Sequence, residues 1–367
     1  MDSLTVLALN SGSSSLKFGF YRVDSTGAEK LFGESVSTAD DPNAMARVAG
    51  ALDASGMPPP DVVGHRIVHG GPALRQHCHI DDAVLRQLQE AAAFAPLHTP
   101  AALALIGFAQ VHFPGLPQVA CFDTQFHAVL PEVARVLPIA RELLSDGMQR
   151  YGFHGLSLES IVRQLGDGLP QRLVVAHLGN GASITAVKAG LSIDTSMGMT
   201  PSGGVIMGTR SGDLDPGVLV YLMREKKFDA SRLETLVDQR SGLLGISGLS
   251  GDMRRLHEVA ASNRDARLAI EMFGYSVRKQ VAAMVAVLGG LNMLVFTGGI
   301  GENDAQVRTE ICAGLAWIGV RLDEARNRAA GNLACCRISD GASPCQVLVL
   351  PSQEDEQIAR HAWAVLA

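Results

Sequence analysis

The chain is 367 residues long, which exceeds the size at which a single hydrophobic core stops growing, so we expect two lobes with a cleft between them. Its composition, 47% hydrophobic and 19% charged, is that of a globular protein, and the formal net charge of −6 excludes a general attraction to nucleic acid or anionic membranes. Any anionic substrate would therefore have to be bound by particular arginines.

Three further features bear on the compartment. The first residues lack a basic segment followed by a long apolar run, so they do not resemble a signal peptide. The longest apolar stretch, residues 281–296, is shorter than a membrane span and contains glycines. The six cysteines have no regular spacing and fit reduced thiols better than a disulfide framework. We expect a cytoplasmic protein.

Short β-rich runs alternate with helical patterns along the chain. The predicted strands are residues 5–10, 61–69, 118–127, 172–179 and 182–187. Helical periodicity covers residues 81–94 and 266–288, and residues 24–60 are predicted to be helix and loop. The alternation predicts an α/β fold in which helices cover the sheets.

One pattern occurs twice. VLALNSGSSSLKF (residues 6–18) and VVAHLGNGASITAV (residues 174–187) each give an apolar strand, a turn rich in Gly, Ser or Asn, and a second strand. The turns at Gly12 and Gly181 lie about half the chain apart, which favours a duplicated two-lobe design. Two unrelated hairpins would need the same turn residues, so the repeat alone leaves both interpretations open.

The first of these turns has the composition of a phosphate site. Backbone N–H groups and serine hydroxyls of NSGSSSLKF can donate to phosphate oxygens, and Lys17 adds a positive charge. The chain contains no Gly-Lys dipeptide, so a Walker A loop is excluded, and the protein kinase motifs are missing. A third glycine cluster, FTGGIGEN (residues 296–303), could accept an adenosine or could simply be a strand-to-helix turn.

Ten motifs together carry a family resemblance over nearly the whole chain. In order, they are NSGSSSLKF, GHRIVHGG, CFDTQFH, RYGFHG, HLGNGAS, DTSMGMTP, MGTRSGDLDPG, SGLLGISGLSGDMR, TGGIGEN and SQEDEQIAR. They resemble the acetate kinase family, whose members transfer a phosphoryl group reversibly between ATP and acetate. The resemblance implies two duplicated ribonuclease-H-like lobes of the actin-like ATPase type. The implied N-terminal lobe is residues 1–127 plus 355–367, and the C-terminal lobe is residues 128–354.

The resemblance also implies catalytic roles. Arg66 and Arg210 would bind the substrate and the transition state, with the planar guanidinium suited to a bidentate grip on carboxylate or phosphate. His154 would donate to the transferring phosphoryl group. Asp123 would orient groups or hold magnesium and water, because an ionised carboxylate substrate needs no general base.

Binding residues follow from the same resemblance. Asn10 and Glu354 match the Mg²⁺ positions, where Mn²⁺ could substitute. His98 and His177 would support the site. Nucleotide contacts are implied for Lys17, His177, Leu178, Gly179, Asn180, Gly181, Asp252, Met253, Arg254, Gly299, Ile300, Gly301, Glu302 and Asn303. The pocket for the acyl methyl group would be formed by Val68, Leu97, Phe153 and Pro201.

The sequence departs from the family pattern at two places near this pocket. Thr99 stands where the family usually has Asn, and Ser202 and Gly203 stand where Leu-Glu is common. Discrimination by one methylene is worth about 1–3 kcal/mol, so the pocket leaves acetate and propionate open. A butyrate or branched-chain kinase is a further alternative, as is an ATP-dependent scaffold without an acyl substrate, for which paired arginines would have no use. The family implies a homodimer through the second lobe.

Two histidine clusters could suggest a metal other than magnesium. His65 and His69 have the i, i+4 spacing of zinc proteases, but their stretch is β-branched rather than helical. His77, Cys78 and His79 have no second ligand pair nearby in sequence, so we expect a solvated loop there.

Overall fold

The computed structural model describes residues 3–12, 15–37, 44–96, 98–332 and 335–367. The chain divides into two compact units. Unit 1 comprises Met1–Ala128, Phe153–Gln164 and Gln353–Ala367, and unit 2 comprises Val129–Gly152 and Leu165–Ser352. Unit 1 is therefore built from three segments, of which Phe153–Gln164 lies within the range assigned to the second lobe from the sequence.

Unit 1 contains a six-stranded mixed sheet. Its strands are β1 (Leu4–Ser11), β2 (Ser15–Asp24), β3 (Gly27–Ser37), β4 (Val62–Ile67), β5 (Cys78–His79) and β6 (Gln118–Phe122). Its helices are α1 (Ala44–Ala54), α2 (Asp82–Glu90), α3 (Thr99–His112), α5 (Gly155–Leu165, whose last residue belongs to unit 2) and α14 (Glu354–Leu366). The spatial order is β3-β2-β1-β4-β6-β5, with β1, β4 and β6 parallel and the other neighbours antiparallel.

Alternation along β1 assigns its side chains to two cores. Val6 and Ala8 pack on the face covered by α5 and α14, whereas Leu7 and Leu9 pack on the face covered by α1 and α3. At Gly64 of β4 a Cβ atom would lie 2.8 Å from a side-chain carbon of α14, so this glycine allows the helix to approach the sheet. Burial on both faces explains why the strands appear as continuous apolar runs.

Unit 2 contains a second six-stranded mixed sheet. Its strands are β7 (Arg172–Leu178), β8 (Ala182–Lys188), β9 (Leu191–Thr195), β10 (Met293–Thr297), β11 (Cys336–Arg337) and β12 (Gln346–Val349). Its helices are α4 (Glu132–Arg135), α6 (Pro216–Glu225), α7 (Ala230–Gln239), α8 (Gly242–Ser247), α9 (Met253–Val259), α10 (Arg264–Leu288), α11 (Gly298–Asn303), α12 (Ala305–Ala313) and α13 (Glu324–Ala329). Helix α10 packs on β7 and β8 through a stripe that includes Phe273, Val277 and Val281.

The two sheets have the same topology. In each, three antiparallel strands form a meander, and the first of them pairs in parallel with a later strand. That strand pairs in parallel with a second later strand, and a two-residue antiparallel strand closes the edge. The hairpins β1–β2 and β7–β8 occupy equivalent places. This confirms the duplicated α/β fold expected from the repeated hairpin pattern.

Residues 24–60 were predicted to be helix and loop, and this was wrong for Gly27–Ser37, which forms β3. This strand pairs with β2 at the edge of the sheet and includes two glycines and several charged residues, which lower the strand propensity of its sequence. In the described part of the chain, no helix is both long enough and apolar enough to span a membrane.

Candidate functional site

Three polar side chains of unit 1 lie at one end of its parallel strands. Asn10 is near the end of β1, Arg66 is near the end of β4, and Asp123 directly follows β6. Because these strands are parallel neighbours, their carboxyl ends share one edge of the sheet. The topology therefore brings together residues that are far apart in sequence.

Protein acceptors hold the guanidinium of Arg66 on two sides. Nε and Nη2 donate to Oδ2 of Asp123 at 2.9 and 2.6 Å. Nη1 donates to Oδ1 of Asn10 at 3.3 Å and to the carbonyl of Ser11 at 3.2 Å. Four of its five N–H groups thus have acceptors among the described residues, so this arrangement does not support the predicted bidentate grip on a substrate.

Asp123 is completely buried, with 0% of the residue exposed. Burial raises the pKa of Asp123 to about 6, although the charge and hydrogen bonds of Arg66 act in the opposite direction. Its second oxygen, Oδ1, is buried and has no hydrogen-bond partner among the described residues. A buried carboxylate oxygen without a partner is costly unless a cation or another donor binds it.

Asn10 and Glu354 are in direct contact, although 344 residues separate them. Nδ2 of Asn10 donates to Oε2 of Glu354 at 3.0 Å and to Oδ1 of Asp355 at 2.7 Å. Burial, together with the charge of Glu354, raises the pKa of Asp355 against the opposing hydrogen bond from Asn10. The first turn of α14 therefore places two carboxylates beside the end of β1.

His154 lies in a tightly fixed turn that leads directly into α5. Its φ of 61° is in the left-handed region, which is unusual for a residue with a side chain. The N–H of Gly155 donates to the carbonyl of Asp123 at 2.8 Å, and the carbonyl of Phe153 accepts from the ring of His127 at 3.0 Å. These contacts hold His154 next to Asp123 in unit 1.

The predicted acyl-pocket residues fall in different places. Val68 and Phe153 are buried in unit 1, and the ring of Phe153 lies 5.5 Å from that of His69. Leu97 lies outside the described residues, and Pro201 is buried in unit 2.

The predicted phosphate turn of the first hairpin and the predicted supporting residue His98 are partly described. Lys17 is exposed on β2 and is the register partner of Asn10. Residues 13 and 14 of the predicted phosphate turn lie outside the described residues. His98 is the N-cap of α3, and Thr99 is its buried first residue.

In unit 2, the ends of β7 and β10 lie side by side. His177, near the end of β7, pairs in parallel register with Thr297, the last residue of β10. The following turn is held by the N–H of Gly179, which donates to the carbonyl of Gly181 at 2.9 Å. The carbonyl of Asn180 accepts from the N–H of Gly208 at 3.1 Å. The predicted nucleotide turn of residues 177–181 is thus fixed by backbone hydrogen bonds.

The glycine cluster that starts α11 lies against this turn. Gly298 has a φ of 78°, and a Cβ there would lie 2.8 Å from the carbonyl oxygen of Leu178, so only glycine fits. Glu302, predicted to contact nucleotide, instead accepts from the N–H of Gly298 at 2.9 Å and from that of Ser352 at 3.0 Å. In this geometry Glu302 fixes the turn, while Gly299 and Asn303 are exposed.

The remaining predicted residues of unit 2 differ in exposure. Asp252 caps α9 by accepting from the N–H of Arg254 at 2.9 Å, and their side chains pair at 2.7 Å on the surface. Met253 is only 2% exposed, so its side chain belongs to the core rather than to a nucleotide surface. Arg210 is buried, and its Nη1 donates to the carbonyl of Pro201 at 3.3 Å.

The histidines that the sequence analysis considered as metal ligands have contacts within the protein. Nε2 of His65 lies 2.7 Å from Oε1 of Gln118, and Nδ1 of His69 accepts from a backbone N–H at 2.8 Å. The expected solvated loop was wrong for His77, whose side chain is only 4% exposed. Cys78 and His79 form β5.

Two residues of these sites were not found from the sequence. Asp355 contacts Asn10 beside Glu354, and its signal was the run of three acidic residues at the start of a helix. Arg308 is 1% exposed and donates to the carbonyls of Gly301 and Glu302 at 2.9 Å each. Nothing in its sequence surroundings distinguishes it from an ordinary helix arginine.

Comparison with known proteins places this arrangement in a family. A sequence model of the Acetokinase family matches residues 29–360. Acetate kinase of Methylocella silvestris is 41% identical over 99% of this chain and 98% of that protein, and acetate kinase of Rhodopseudomonas palustris is 40% identical over 98% and 97%. Among solved structures, acetate kinase of Porphyromonas gingivalis is 34% identical, with a TM-score of 0.84 over 99% of this chain and 100% of that one. A propionate kinase of Francisella tularensis is 33% identical, with a TM-score of 0.87 over 100% of both chains. The chain belongs to the acetokinase family.

Proposed function

We propose that this chain is a magnesium-dependent acetate kinase that transfers the γ-phosphoryl group of ATP reversibly to acetate, giving acetyl phosphate and ADP. The observation that carries the proposal is the contact network of Asn10, Arg66, Asp123 and Glu354 at one sheet edge of an acetokinase-family chain. This network provides a fixed positive charge beside a group of oxygen ligands, which phosphoryl transfer to an anion requires.

The donor set fits Mg²⁺. Carboxylate oxygens of Glu354 and Asp355 lie on either side of the Asn10 amide nitrogen, the Asn10 oxygen accepts from Arg66, and Oδ1 of Asp123 is buried without a partner among the described residues. Mg²⁺ prefers such hard oxygen ligands and usually retains several waters, and Mn²⁺ accepts the same donors. When bound, the ion would shield the charge of the phosphate oxygens. We propose Asn10 and Glu354 as its main protein contacts, with Asp123 and Asp355 acting nearby.

The acyl substrate needs orientation rather than deprotonation. Acetate is ionised near neutral pH, so one of its carboxylate oxygens can bond to the γ-phosphorus as the bond to the β,γ-bridging oxygen breaks and ADP leaves with the electron pair. Because most donors of Arg66 are already occupied, we assign it a fixed charge and one N–H toward the substrate. We assign Asp123 the role of holding Arg66 in place.

We propose His154 and Arg210 as the further donors to the transferring phosphoryl group. The left-handed backbone of His154 is supported by a firmly bonded turn, which is typical of positions where strain is maintained for a function. Arg210 is held in unit 2 through Pro201. Both would act on charge that develops in the transition state, so their loss should reduce kcat more than it raises KM.

We propose that unit 2 binds the nucleotide through the turns after β7 and β10. Backbone N–H groups of residues 177–181 and of the exposed Gly299 would contact the nucleotide. The exposed Arg254, which follows the α9 cap residue Asp252 by two positions, would be a further contact. Glu302 would act indirectly by keeping the turn in shape.

Propionate is the second candidate substrate, because the propionate kinase of Francisella tularensis has a TM-score of 0.87 to this chain. Val68 and Phe153 are the buried residues of unit 1 that we expect to contact the acyl group. One methylene changes binding by about 1–3 kcal/mol, so we expect both acids to react with different kcat/KM.

The test is hydroxamate trapping of acyl phosphate with acetate, propionate and butyrate in the presence of ATP and Mg²⁺. We expect activity with acetate or propionate, with kcat/KM lowered at least about 100-fold in Arg66→Ala, the order of effect of removing one catalytic donor. Arg22→Ala is the matched control, since Arg22 forms an exposed pair with Glu29 in the same unit and should leave the activity unchanged. ATP hydrolysis without acyl phosphate would refute the proposal in favour of an ATPase without an acyl substrate.

We also propose a homodimer formed through unit 2. Leu268, Met272 and Tyr275 are exposed apolar residues on one face of α10, and Val218 and Tyr221 are exposed on α6. Met272→Glu with Tyr275→Glu should halve the mass measured by sedimentation equilibrium, whereas Val133→Glu, at an exposed residue of α4, should not. An unchanged mass in the double variant would refute this interface.

All six cysteines are free, which supports a cytoplasmic location.

A further inference from the structure

Three side chains that the proposed mechanism does not use converge in unit 1. His77, Glu159 and His361, here named the His–Glu–His cluster, have nitrogen and oxygen atoms that lie within 4.8 Å of one another. Oε2 of Glu159 lies 2.6 Å from Nε2 of His361 and 3.8 Å from Nε2 of His77. The two imidazole rings are 3.9 Å apart between centroids. Residues so distant in sequence meet only because the fold brings their elements together.

The cluster is anchored to β6. Nδ1 of His77 accepts a hydrogen bond from the backbone N–H of Phe122 at 3.0 Å, and the next residue is Asp123. The backbone N–H of His77 donates to the side chain of Gln125, on the other side of Asp123. His77 therefore holds the chain immediately before and shortly after the buried aspartate.

The other two members join α5 and α14. Glu159 lies in the helix that directly follows His154, and His361 lies in the helix whose first residue is Glu354. A second ion pair joins the same helices, with Nη1 of Arg163 on α5 lying 2.9 Å from Oε1 of Glu356 on α14. The contact of Glu159 with His361 is thus part of a polar seam between the two helices that begin at the proposed active-site residues.

The burial and charge of the cluster indicate a permanent contact. The side chains of His77, Glu159 and His361 are 4%, 15% and 21% exposed. Burial favours the neutral form of Glu159, but hydrogen bonds and charge from His361 and His77 lower its pKa to about 2. Glu159 is therefore ionised near neutral pH, and the proton in its 2.6 Å contact belongs to His361.

A bound transition metal would be the obvious alternative for two imidazoles and a carboxylate. A ligating Nε2 of His77 would need its proton on Nδ1, because metal-bound histidines donate their other ring N–H to an acceptor. Nδ1 of His77 faces the donor N–H of Phe122, so the neutral ring carries its proton on Nε2. Nε2 is buried without a hydrogen-bond partner among the described residues, and the Glu159 carboxylate lies 3.8 Å away.

We propose that the three residues of the His–Glu–His cluster are positioning residues for magnesium binding. The cluster fixes β6, α5 and α14 against one another, and thereby sets the spacing of Asp123, His154 and Glu354. The inference rests on the proposed function for the identity of the magnesium residues. It assigns to the cluster no contact with substrate or ion.

The experiment measures Mn²⁺ affinity, a probe of the magnesium site that does not depend on turnover. Water-proton relaxation is recorded in the presence of ADP for the wild type, His361→Leu, His361→Gln and Glu159→Gln, with KM for Mg²⁺ and for acetate measured in parallel. His112→Leu is the matched control, because His112 pairs with Asp53 at 3.8 Å near the end of α3, and the Asp53 side chain is 75% exposed. Far-ultraviolet circular dichroism identifies any variant that does not fold.

We expect His361→Leu to weaken Mn²⁺ binding about 10-fold, the lower end of the effect of losing an outer partner of a metal site. KM for Mg²⁺ should rise by about the same factor, and KM for acetate should change less than about 2-fold, since Arg66 is also held by Asn10 and Ser11 of β1. His361→Gln, which keeps an N–H donor, should recover most of the affinity. If His361→Leu does not fold, Glu159→Gln should show the same loss of affinity.

Unchanged Mn²⁺ affinity in the folded cluster variants, or an equal loss in His112→Leu, would overturn the inference. So would wild-type protein that binds one equivalent of Zn²⁺ in a way that His361→Leu abolishes, because the cluster would then be a metal site. A wild type that binds Mn²⁺ normally but makes no acyl phosphate would refute the proposed function while leaving the affinity comparison intact.

Discussion

The ion pair of Arg66 and Asp123 should behave as one energetic unit in a double-mutant cycle. Its side chains are 13% and 1% exposed, and removing one partner of a buried pair costs about 3–5 kcal/mol because the other charge is left unpaired. We expect Asp123→Leu to lower the free energy of unfolding by about 3 kcal/mol, because Arg66 still donates to Asn10 and still has the negative charge of Glu354 nearby. Arg66→Met should cost about 5 kcal/mol, since Asp123 and Glu354 then repel each other without a cation.

The double variant should lose less free energy of unfolding than the two single variants lose together, and this difference, the coupling energy, should be about 2–3 kcal/mol. Urea unfolding of unit 1 can be followed through Trp363 in a Trp317→Phe background, because the sequence has two tryptophans and Trp317 belongs to unit 2. The exposed pair of Arg22 and Glu29 gives the control cycle, with coupling of at most about 1 kcal/mol. Additivity within about 0.5 kcal/mol at the buried pair would refute the reasoning.

Three further substitutions test unit 2. The hydrogen bond with Asp304 raises the pKa of His257, so the charged pair stabilises the fold below the ordinary histidine value of about 6.5 and this contribution is lost as the pH rises through the raised value. His257→Gln should therefore lower the free energy of unfolding by about 1 kcal/mol at about pH 6 and by less at about pH 9, and an equal effect at both would contradict the assignment. Gly298→Ala should cost about 1–3 kcal/mol through its left-handed backbone and the contact with Leu178, and should raise KM for ATP but not for acetate in steady-state kinetics. Arg308→Met leaves buried carbonyls unpaired and should lower the unfolding free energy of unit 2 by about 3 kcal/mol, with the unfolding of unit 1, followed by fluorescence in single-tryptophan variants, unchanged.

The sequence predicted the central strands well for a physical reason. β1, β6 and β7 are buried on both faces along most of their length, so each contains a continuous apolar run bounded by polar residues. The edge strand β3 was missed because it includes charged residues and glycine, and it is held by pairing with β2 rather than by its own propensity. Apolar runs therefore identify strands that are buried on both faces and miss an edge strand whose sequence is polar.

The candidate site shows the same limit. The motifs indicated Asn10, Arg66 and Asp123, but not that Arg66 uses most of its donors within the protein. The contact of Glu159 with His361 spans 202 residues, and neither residue lies near a recognisable ligand pattern. Such contacts follow from the path of the chain, which spacing within a motif does not reveal.

The three-segment construction of unit 1 has a consequence for synthesis. The sheet face formed by Val6, Ala8 and Val119 is covered by α5 and α14, so part of it remains open on the ribosome until residues 354–366 have been made. Unit 2 is encoded mainly between these segments and can mature while unit 1 still waits for its last helix. The nascent enzyme would thus expose part of an apolar sheet until α14 is made, in a state that chaperones can recognise, and would acquire Glu354 and Asp355 only with that helix.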